Sequence, residues 1–318
     1  MSPETLTGRA MPASGEWPSV SVVIPTRDRP EMLRRAIASI LSQDYPGAVE
    51  GLVVFDQSPV DATLESSTPG RTVRVLGNAR VAGLAGTRNT GILAAAGDLV
   101  AFCDDDDEWL PGKLRRQVEI LAAEPETGVV VTGVRIAYGG RLVDRVAPAT
   151  HLPFEAFLQG RVAEAHPSSI VARRAEVTGG IGLVDEEIPG SYGEDHEWLL
   201  RASRRAPVAV VPEPLVLVRW NRQSWFSDRW ETITRALAYL LEKYPEFSSQ
   251  PRGLAYIYGR TAFAFAAAGD GPSARRFARK ALALKPTDAR SYLAVLVSTR
   301  LVPAPRLVDL AHRLGRGL

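Results

Sequence analysis

The sequence predicts an α/β fold built on a mostly parallel sheet of nucleotide-binding type, and three observations carry that expectation. Residues 19–24 (SVSVVI), 51–55 (GLVVF) and 99–103 (LVAFC) are short apolar runs, as expected of strands buried on both faces. Helix-like apolar periodicity separates them. Each run also ends in polar residues: Pro25, Thr26 and Arg27 after the first, Asp56 after the second, and four consecutive aspartates at 104–107 after the third. In open α/β sheets ligands sit beyond the carboxyl ends of the strands, so three polar sites are expected on one edge.

The elements follow in order. After the first strand, Pro30 suits the first turn of a helix carrying Leu33, Ile37, Ile40 and Leu41 on one face, with Asp28 as its cap. Residues 72–76 (TVRVL) read as a third strand. Residues 82–97 are punctuated by glycine, then Ala-rich and helical, with Gly97 as the stop. Beyond the aspartates, Pro111 starts a helix through Leu114, Val118, Ile120 and Leu121. Residues 128–138, 206–219 and a short piece at 168–172 read as strands; Pro212 and Pro214 put the second at an edge or a bulge. Residues 194–204 (EDHEWLLRASR) read as a helix with acids in its first turn.

From Asp228, a candidate cap, the chain turns helical, with Trp230, Ile233, Leu237, Leu240 and Leu241 on one face and Pro245 as the end. Residues 254–268 and 272–284 form a helical hairpin turning at Gly269 and Asp270, which resembles a single tetratricopeptide-type repeat. Such repeats need about three units to stand alone, so this one is expected to pack on the first domain. The organisation is therefore a loose tail at 1–18, an α/β domain at 19–225 and a helical extension at 226–318.

Composition bounds the function. The 318 residues are 45% hydrophobic and 23% charged, ordinary for a globular protein. The single cysteine, Cys103, lies inside an apolar run and reads as a core residue rather than a redox or metal group. Residues 1–18 hold no apolar stretch of signal-peptide type, and no run approaches the ~18 apolar residues of a membrane span, so the expectation is a cytoplasmic protein. A net charge of +2 argues against a nucleic-acid partner. The charge is uneven: residues 251–318 carry 12 Lys and Arg against three Asp, or +9, leaving −7 for the rest. That basic end either docks on an anionic membrane face or an acidic acceptor, making the protein peripheral at the membrane, or is a solubilising face.

The aspartate run is the sharpest chemical signal. Two carboxylates ~5 Å apart repel by roughly 3 kcal/mol at an effective dielectric of ~20, so the cluster either holds a cation or splays into water as a turn. Carboxylates are hard ligands, which points to Mg²⁺ or Mn²⁺.

Taken together, SVVIPTRDRPEMLRRAIASILSQDYP, VVFDQS, GLAGTRNTGILAAAGDLVAFCDDDDEWLPGKL and YGEDHEWLLR resemble a family 2 glycosyltransferase with the GT-A fold, over residues 19–222. The resemblance implies a metal-dependent, inverting transfer of a sugar from a UDP- or dTDP-sugar to an acceptor hydroxyl on a glycan, lipid-linked, peptide or small-molecule acceptor. Asp104, Asp105 and Asp106 match the DxD-like element, with Asp106 as direct metal ligand and Asp104 on ribose or a metal-bound water. Asp107 is either functional or a helix cap. Asp56 matches the acid that accepts from the base, although an acid after a strand is also an ordinary turn residue. Pro25, Thr26 and Arg27 would line the nucleoside and phosphate pocket, and Arg88, between Gly86 and Gly91, has a fork suited to a diphosphate or is a surface arginine.

On the acceptor side Asp195 matches the general base, with Glu194 and His196 as rivals; the alternative is a helix-start acid. Trp198, Trp220 and Trp225 either stack on sugar faces or pack as core, and His166 either touches the acceptor or packs. The sequence departs from the family pattern at Asp28, where many relatives have Asn, and at Asn221, where many have His; the second leaves the third protein contact of the metal open. Two other readings are a silent nucleotide-sugar-binding scaffold and a sugar nucleotidyltransferase, whose glycine-rich Arg and Lys loop is missing here.

Overall fold

A computed structural model describes residues 16–162, 164–220 and 229–313. Asn221, Trp225, Asp228 and most of the N-terminal tail lie outside the described residues. The elements in chain order are β1 (Val20–Thr26), α1 (Pro30–Leu41), β2 (Val49–Phe55), β3 (Ser66–Thr68), β4 (Arg71–Gly77), α2 (Leu84–Ala94), β5 (Leu99–Phe102), β6 (Glu108–Trp109) and α3 (Lys113–Ala123). Then come β7 (Val129–Tyr138), β8 (Arg141–Arg145), β9 (His151–Leu152), α4 (Phe154–Leu158), β10 (Val171–Arg173), α5 (Glu194–Arg205) and β11 (Val208–Arg219). Five helices close the chain: α6 (Trp230–Lys243), α7 (Pro251–Ala267), α8 (Gly271–Leu284), α9 (Ala289–Ser298) and α10 (Ala304–Arg313).

The strands form one mixed sheet in the order β3-β4-β2-β1-β5-β10-β7-β11-β6, with β8 on β7 and β9 on β11. β4, β2, β1 and β5 are mutually parallel, and their order places the switch point at β1 and β5. A ligand cleft is expected there. β10 runs antiparallel between β5 and β7. The apolar strand runs are buried on both faces, and two large clusters form, one on each side of the sheet: one includes Val23, Val100 and Trp198, the other Val22, Ala101 and Leu114. Cys103 is fully buried, as expected of a core residue.

Several local expectations need correction. Asp28 does not cap α1: its backbone is left-handed (φ 54°), and the cap position is Arg29, which makes no side-chain cap bond. α3 begins at Lys113 behind Gly112 (φ 81°) instead of at Pro111, and Asp107 is no helix cap. α2 ends at Ala94, before Gly97. Of the two alternatives for β11, the bulge holds and the edge does not: its register shifts at Pro214, and it pairs with β7 on one side and with β6 and β9 on the other. Trp198 is a core residue, 1% exposed, edge-on to Phe102 and donating its indole N–H to the Gly182 carbonyl at 2.9 Å.

The helical extension is seated on the α/β core. Ile233, Leu237, Leu240, Tyr244 and Ile257 belong to the same apolar cluster as Phe157 and Trp198. Glu197 of α5 is fully buried and accepts from the Tyr244 hydroxyl at 2.7 Å, from Arg201 and from Lys243 Nζ at 2.9 Å, so its buried charge is paired at the junction. Gly253 lets α7 approach closely; a Cβ there would stand 1.8 Å from the Leu158 carbonyl oxygen. α7, α8, α9 and α10 share a third cluster with Phe263, Ala274, Ala278 and Ala294. Among the described residues no helix is long and apolar enough to cross a membrane.

Candidate active site

The sheet brings the predicted residues to one edge. Thr26 ends β1, Asp56 follows β2, and Asp104 and Asp105 lie just beyond β5. Asp105 is buried and braces this edge: the Thr26 hydroxyl donates to it at 2.8 Å, the Arg27 amide at 3.4 Å and Arg29 at 3.1 Å. Arg29 also reaches Asp106 at 2.8 Å. Arg27 itself lies beside Asp28, 3.7 Å away, and Pro25 is a buried residue of β1.

Asp56 binds protein rather than open solvent. It accepts from the side chains of Asn78 (2.9 Å) and Gln57 (3.0 Å) and from the Gly83 amide at the start of α2. Burial alone would raise its pKa, but these hydrogen bonds prevail and hold it below the usual range.

The remaining aspartates divide. Burial, and then the Asp104 charge, push Asp106 up to about 6. Asp107 is 2% exposed; burial first, then Asp106 and Asp104, push it well above the carboxylate range. Its carboxylate accepts from the Ser168 hydroxyl at 2.6 Å and lies 3.3 Å from His166 Nδ1, which itself accepts from the Ser168 amide at 3.3 Å. An imidazole nitrogen that accepts is unprotonated, and burial pushes His166 down to about 4. Asp104, Asp107 and His166 present one oxygen or nitrogen each within 4.8 Å of one another, a set that Asp106 does not join.

That donor set passes a chemical test for a divalent cation. A carboxylate pushed far up by burial and then by neighbouring acids, beside a neutral imidazole, lacks positive charge, and two oxygens plus one nitrogen suit Mn²⁺. His166 and Asp107 escaped the sequence reading as a pair because 59 residues separate them and no ligand spacing links them. The fold joins them through the 3₁₀ turn Pro167–Ser169.

Arg88 is neither a surface residue nor open to solvent. It is 2% exposed on α2, donates to Asp104 at 2.5 Å and to Glu194, and lies 6.0 Å from the Phe102 ring centre. One guanidinium thus ties the end of β5 to the start of α5, where Glu194 and Asp195 sit behind Gly193 (φ 80°). Asp195 is 7% exposed and accepts from Arg161. Burial would raise its pKa, but the charges of Arg161 and then Arg88 hold it below the usual value. His196 is pushed down to about 4, chiefly by burial. Arg88, Phe102, Glu194 and Asp195 line a shared cleft of about 230 Å³ with Pro167 and Trp198.

Comparisons with known proteins bear on the family and the fold. Residues 21–171 match the model of the family "Glycosyl transferase family 2". The succinoglycan biosynthesis protein ExoO of Rhizobium meliloti is 37% identical over 110 residues, 34% of this chain and 31% of that protein. The UDP-Glc:alpha-D-GlcNAc-diphosphoundecaprenol beta-1,3-glucosyltransferase WfgD of Escherichia coli is 34% identical over 106 residues, 32% of this chain and 40% of that protein. These matches span less than half the length of either relative. Among solved structures, residues 1–349 of S. aureus TarS with UDP-GlcNAc superpose with a TM-score of 0.61 at 18% identity, covering 94% of this chain and 92% of that one. The mannosyltransferase PcManGT of Pyrobaculum calidifontis, in complex with GDP-Man and Mn²⁺, gives 0.54 at 19% identity, covering 96% and 90%. With acids gathered at the switch point of a sheet shared with these structures, residues 21–171 form a domain of glycosyl transferase family 2.

Proposed function

We propose that this protein transfers a sugar from a uridine- or thymidine-diphosphate sugar to an acceptor hydroxyl with inversion of configuration. The observation that carries the proposal is the Arg88 bridge, which brings the strand-end acid Asp104 and the helix-start acids Glu194 and Asp195 to one cleft. TarS in complex with UDP-GlcNAc supports a uridine donor by analogy of fold.

Each side chain has a chemical task. Asp56 offers a carboxylate to the imide N–H of uracil or thymine, taking the place of the exposed Gln57 amide. Pro25, Thr26 and Arg27 flank the nucleoside, and Asp105 fixes that edge through Thr26 and Arg29. Asp104, Asp107 and His166 would hold a divalent cation, with Asp106, half-neutralised by Arg29, beside it. Such a cation, Mn²⁺ before Mg²⁺ because of the imidazole, would neutralise charge on the departing diphosphate.

Asp195 is the base. Held ionised by Arg161 and Arg88, it takes the proton of the acceptor hydroxyl as that oxygen attacks the anomeric carbon on the face opposite the leaving group. One displacement with an external nucleophile inverts the centre. Glu194 is a poorer base because Arg88 occupies its carboxylate in the interior, and His196 is held neutral and lines the neighbouring cleft. The homologues' printed activities support a glycan or lipid-linked acceptor for this chain.

The test is a thermal-shift and turnover panel of UDP-, dTDP- and GDP-sugars with Mn²⁺, Mg²⁺ or EDTA. Stabilisation by a UDP- or dTDP-sugar only with metal, and loss of turnover but not of donor binding in Asp195→Asn, is expected. Turnover that survives Asp195→Asn with a normal pH profile would refute the assignment of the base, and a scaffold would show no turnover in either protein.

A further inference from the structure

The helical extension leaves an apolar face in water. Of the ten large hydrophobic side chains exposed among the described residues, six lie between residues 284 and 310: Leu284, Tyr292, Val295, Leu296, Leu301 and Leu310. On α9, Tyr292, Val295 and Leu296 stand three and four residues apart, the spacing of one helix face, while Ser291, Ala294 and Val297 are its buried side. A helix apolar on both sides belongs in an interior, yet the outer side of α9 meets solvent. The stripe continues past the helix end, where Arg300 takes a left-handed conformation (φ 62°) and Leu301 projects with 80% of its surface exposed.

Cations flank this stripe. Arg275 and Arg279 form a row on α8, with Arg279 Nε donating to the Arg275 carbonyl at 3.4 Å. The row begins beside the end of α9: a Cβ built on Gly271 would stand 3.0 Å from Arg275 Nη1 and 3.4 Å from the Ser298 carbonyl oxygen. Lys285 follows α8, next to Pro286, whose carbonyl accepts from the Tyr292 hydroxyl at 2.7 Å. Arg300 marks the other end. All four are exposed, and among the described residues none of them pairs with a carboxylate. The three acids of residues 251–318 are committed elsewhere. Asp270 and Asp288 cap α8 and α9 through Ser273 and Ser291, and Asp309 accepts from the Tyr138 hydroxyl.

An apolar stripe between cations has a limited set of complements. A second copy would set like charge against like. A protein partner would have to supply a socket for Leu301 and carboxylates in register with four cations spread along two helices. A bilayer of anionic lipid offers both chemistries at once and needs no register, with acidic headgroups at the level of the cations and an acyl boundary for the leucines. We propose that the outer face of α8 and α9 docks on an anionic membrane surface. Leu296 and Leu301 enter the acyl boundary, and Arg275, Arg279, Lys285 and Arg300 engage the headgroups. This surface is independent of the transfer reading above.

Co-sedimentation of the full chain with vesicles of phosphatidylcholine alone, or of phosphatidylcholine and phosphatidylglycerol in equal parts, tests it. Such vesicles carry no sugar acceptor, so binding does not pass through the cleft at Asp195. Binding is expected to the anionic vesicles only, and should weaken as salt rises. It should fall by about tenfold or more in Arg275→Gln/Arg279→Gln and in Leu296→Ser/Leu301→Ser. Leu142→Ser, which removes an exposed leucine of β8, should leave it unchanged. Leu301→Ser alone serves where the leucine pair melts early. Equal binding to both kinds of vesicle, or undiminished binding in the variants, overturns the proposal. A dimer that sedimentation velocity detects and Leu296→Ser/Leu301→Ser dissociates would give the stripe to a second copy, and binding to poly-glutamate but not to vesicles would give it to an acidic polypeptide; either result overturns the membrane assignment.

Discussion

The guanidinium of Arg88 donates to the carboxylate of Glu194, across 106 residues of chain and inside a site where both side chains are almost wholly buried. Its second nitrogen serves Asp104, so the pairing fixes the strand-end and helix-start acids in one frame. Removing one member of a buried pair strands the other charge. Arg88→Gln should cost about 3–5 kcal/mol in urea unfolding, and Arg88→Gln/Glu194→Gln should recover about half of that without restoring turnover. If the double variant is as unstable as the single, the pair does not carry the coupling.

The proposed metal centre gives a direct comparison of aspartates. Asp107→Asn and His166→Ala should raise the Mn²⁺ concentration for half-maximal turnover by about tenfold or more, whereas Asp106→Asn should change it less. Burial and its acidic neighbours push the Asp107 carboxyl up, so a cation competes with a proton there, and Mn²⁺ affinity should rise with pH. A larger effect in Asp106→Asn would return the ligand role to that residue.

These sites differ in how legible they are in the sequence. Strand ends are local events, so Thr26, Asp56 and Asp104 follow from apolar runs that stop at polar residues. The acids of α5 follow from the same kind of local pattern. By contrast, the apposition of Asp107 with His166 depends on β10 folding back antiparallel beside β5, a pairing no periodicity encodes. Arg88 reads as a phosphate ligand on a glycine-rich segment because its partner Glu194 is remote in sequence and close only in the fold. The short strands β3, β8 and β9 carry too few buried residues to leave an alternating signature.

Lys113 makes a pH-dependent prediction of known sign. It is fully buried, its Nζ lies 3.8 Å from the centre of the Trp109 ring, and burial pushes its pKa down to about 7. Between about 7 and 10.5 the unfolded chain binds more protons than the folded one, so this residue makes stability rise with pH across that window. Lys113→Met should flatten that rise and stabilise the protein at pH 7 by about 1–3 kcal/mol. Parallel stability curves for the two proteins between pH 7 and 10.5 would contradict it.

The seat of the helical extension can be tested at one atom. In Gly253→Ala the new methyl meets the Leu158 carbonyl oxygen, so α7 must move off α4, at an expected cost of about 2 kcal/mol or more. Gly179→Ala, where a Cβ has open space, should shift stability by less than about 0.5 kcal/mol. Thermal melts of the two variants separate a close backbone contact from the general cost of replacing glycine; equal melting temperatures would mean that α7 is free to shift.

In the proposed reaction Arg161 tunes the base Asp195 without touching the proton it moves. Its charge is the chief influence opposing burial at Asp195, and it keeps 40% of its side chain exposed while Asp195 keeps 5%. Neutralising it in Arg161→Gln removes the stabilisation of the carboxylate, so the Asp195 pKa rises and the acid limb of kcat/KM moves to higher pH by about one unit. Arg161→Lys should return the limb most of the way, because charge rather than fork geometry sets this effect. A purely structural arginine would lower kcat/KM at every pH and leave the limb where it was, so the position of that limb decides between the two.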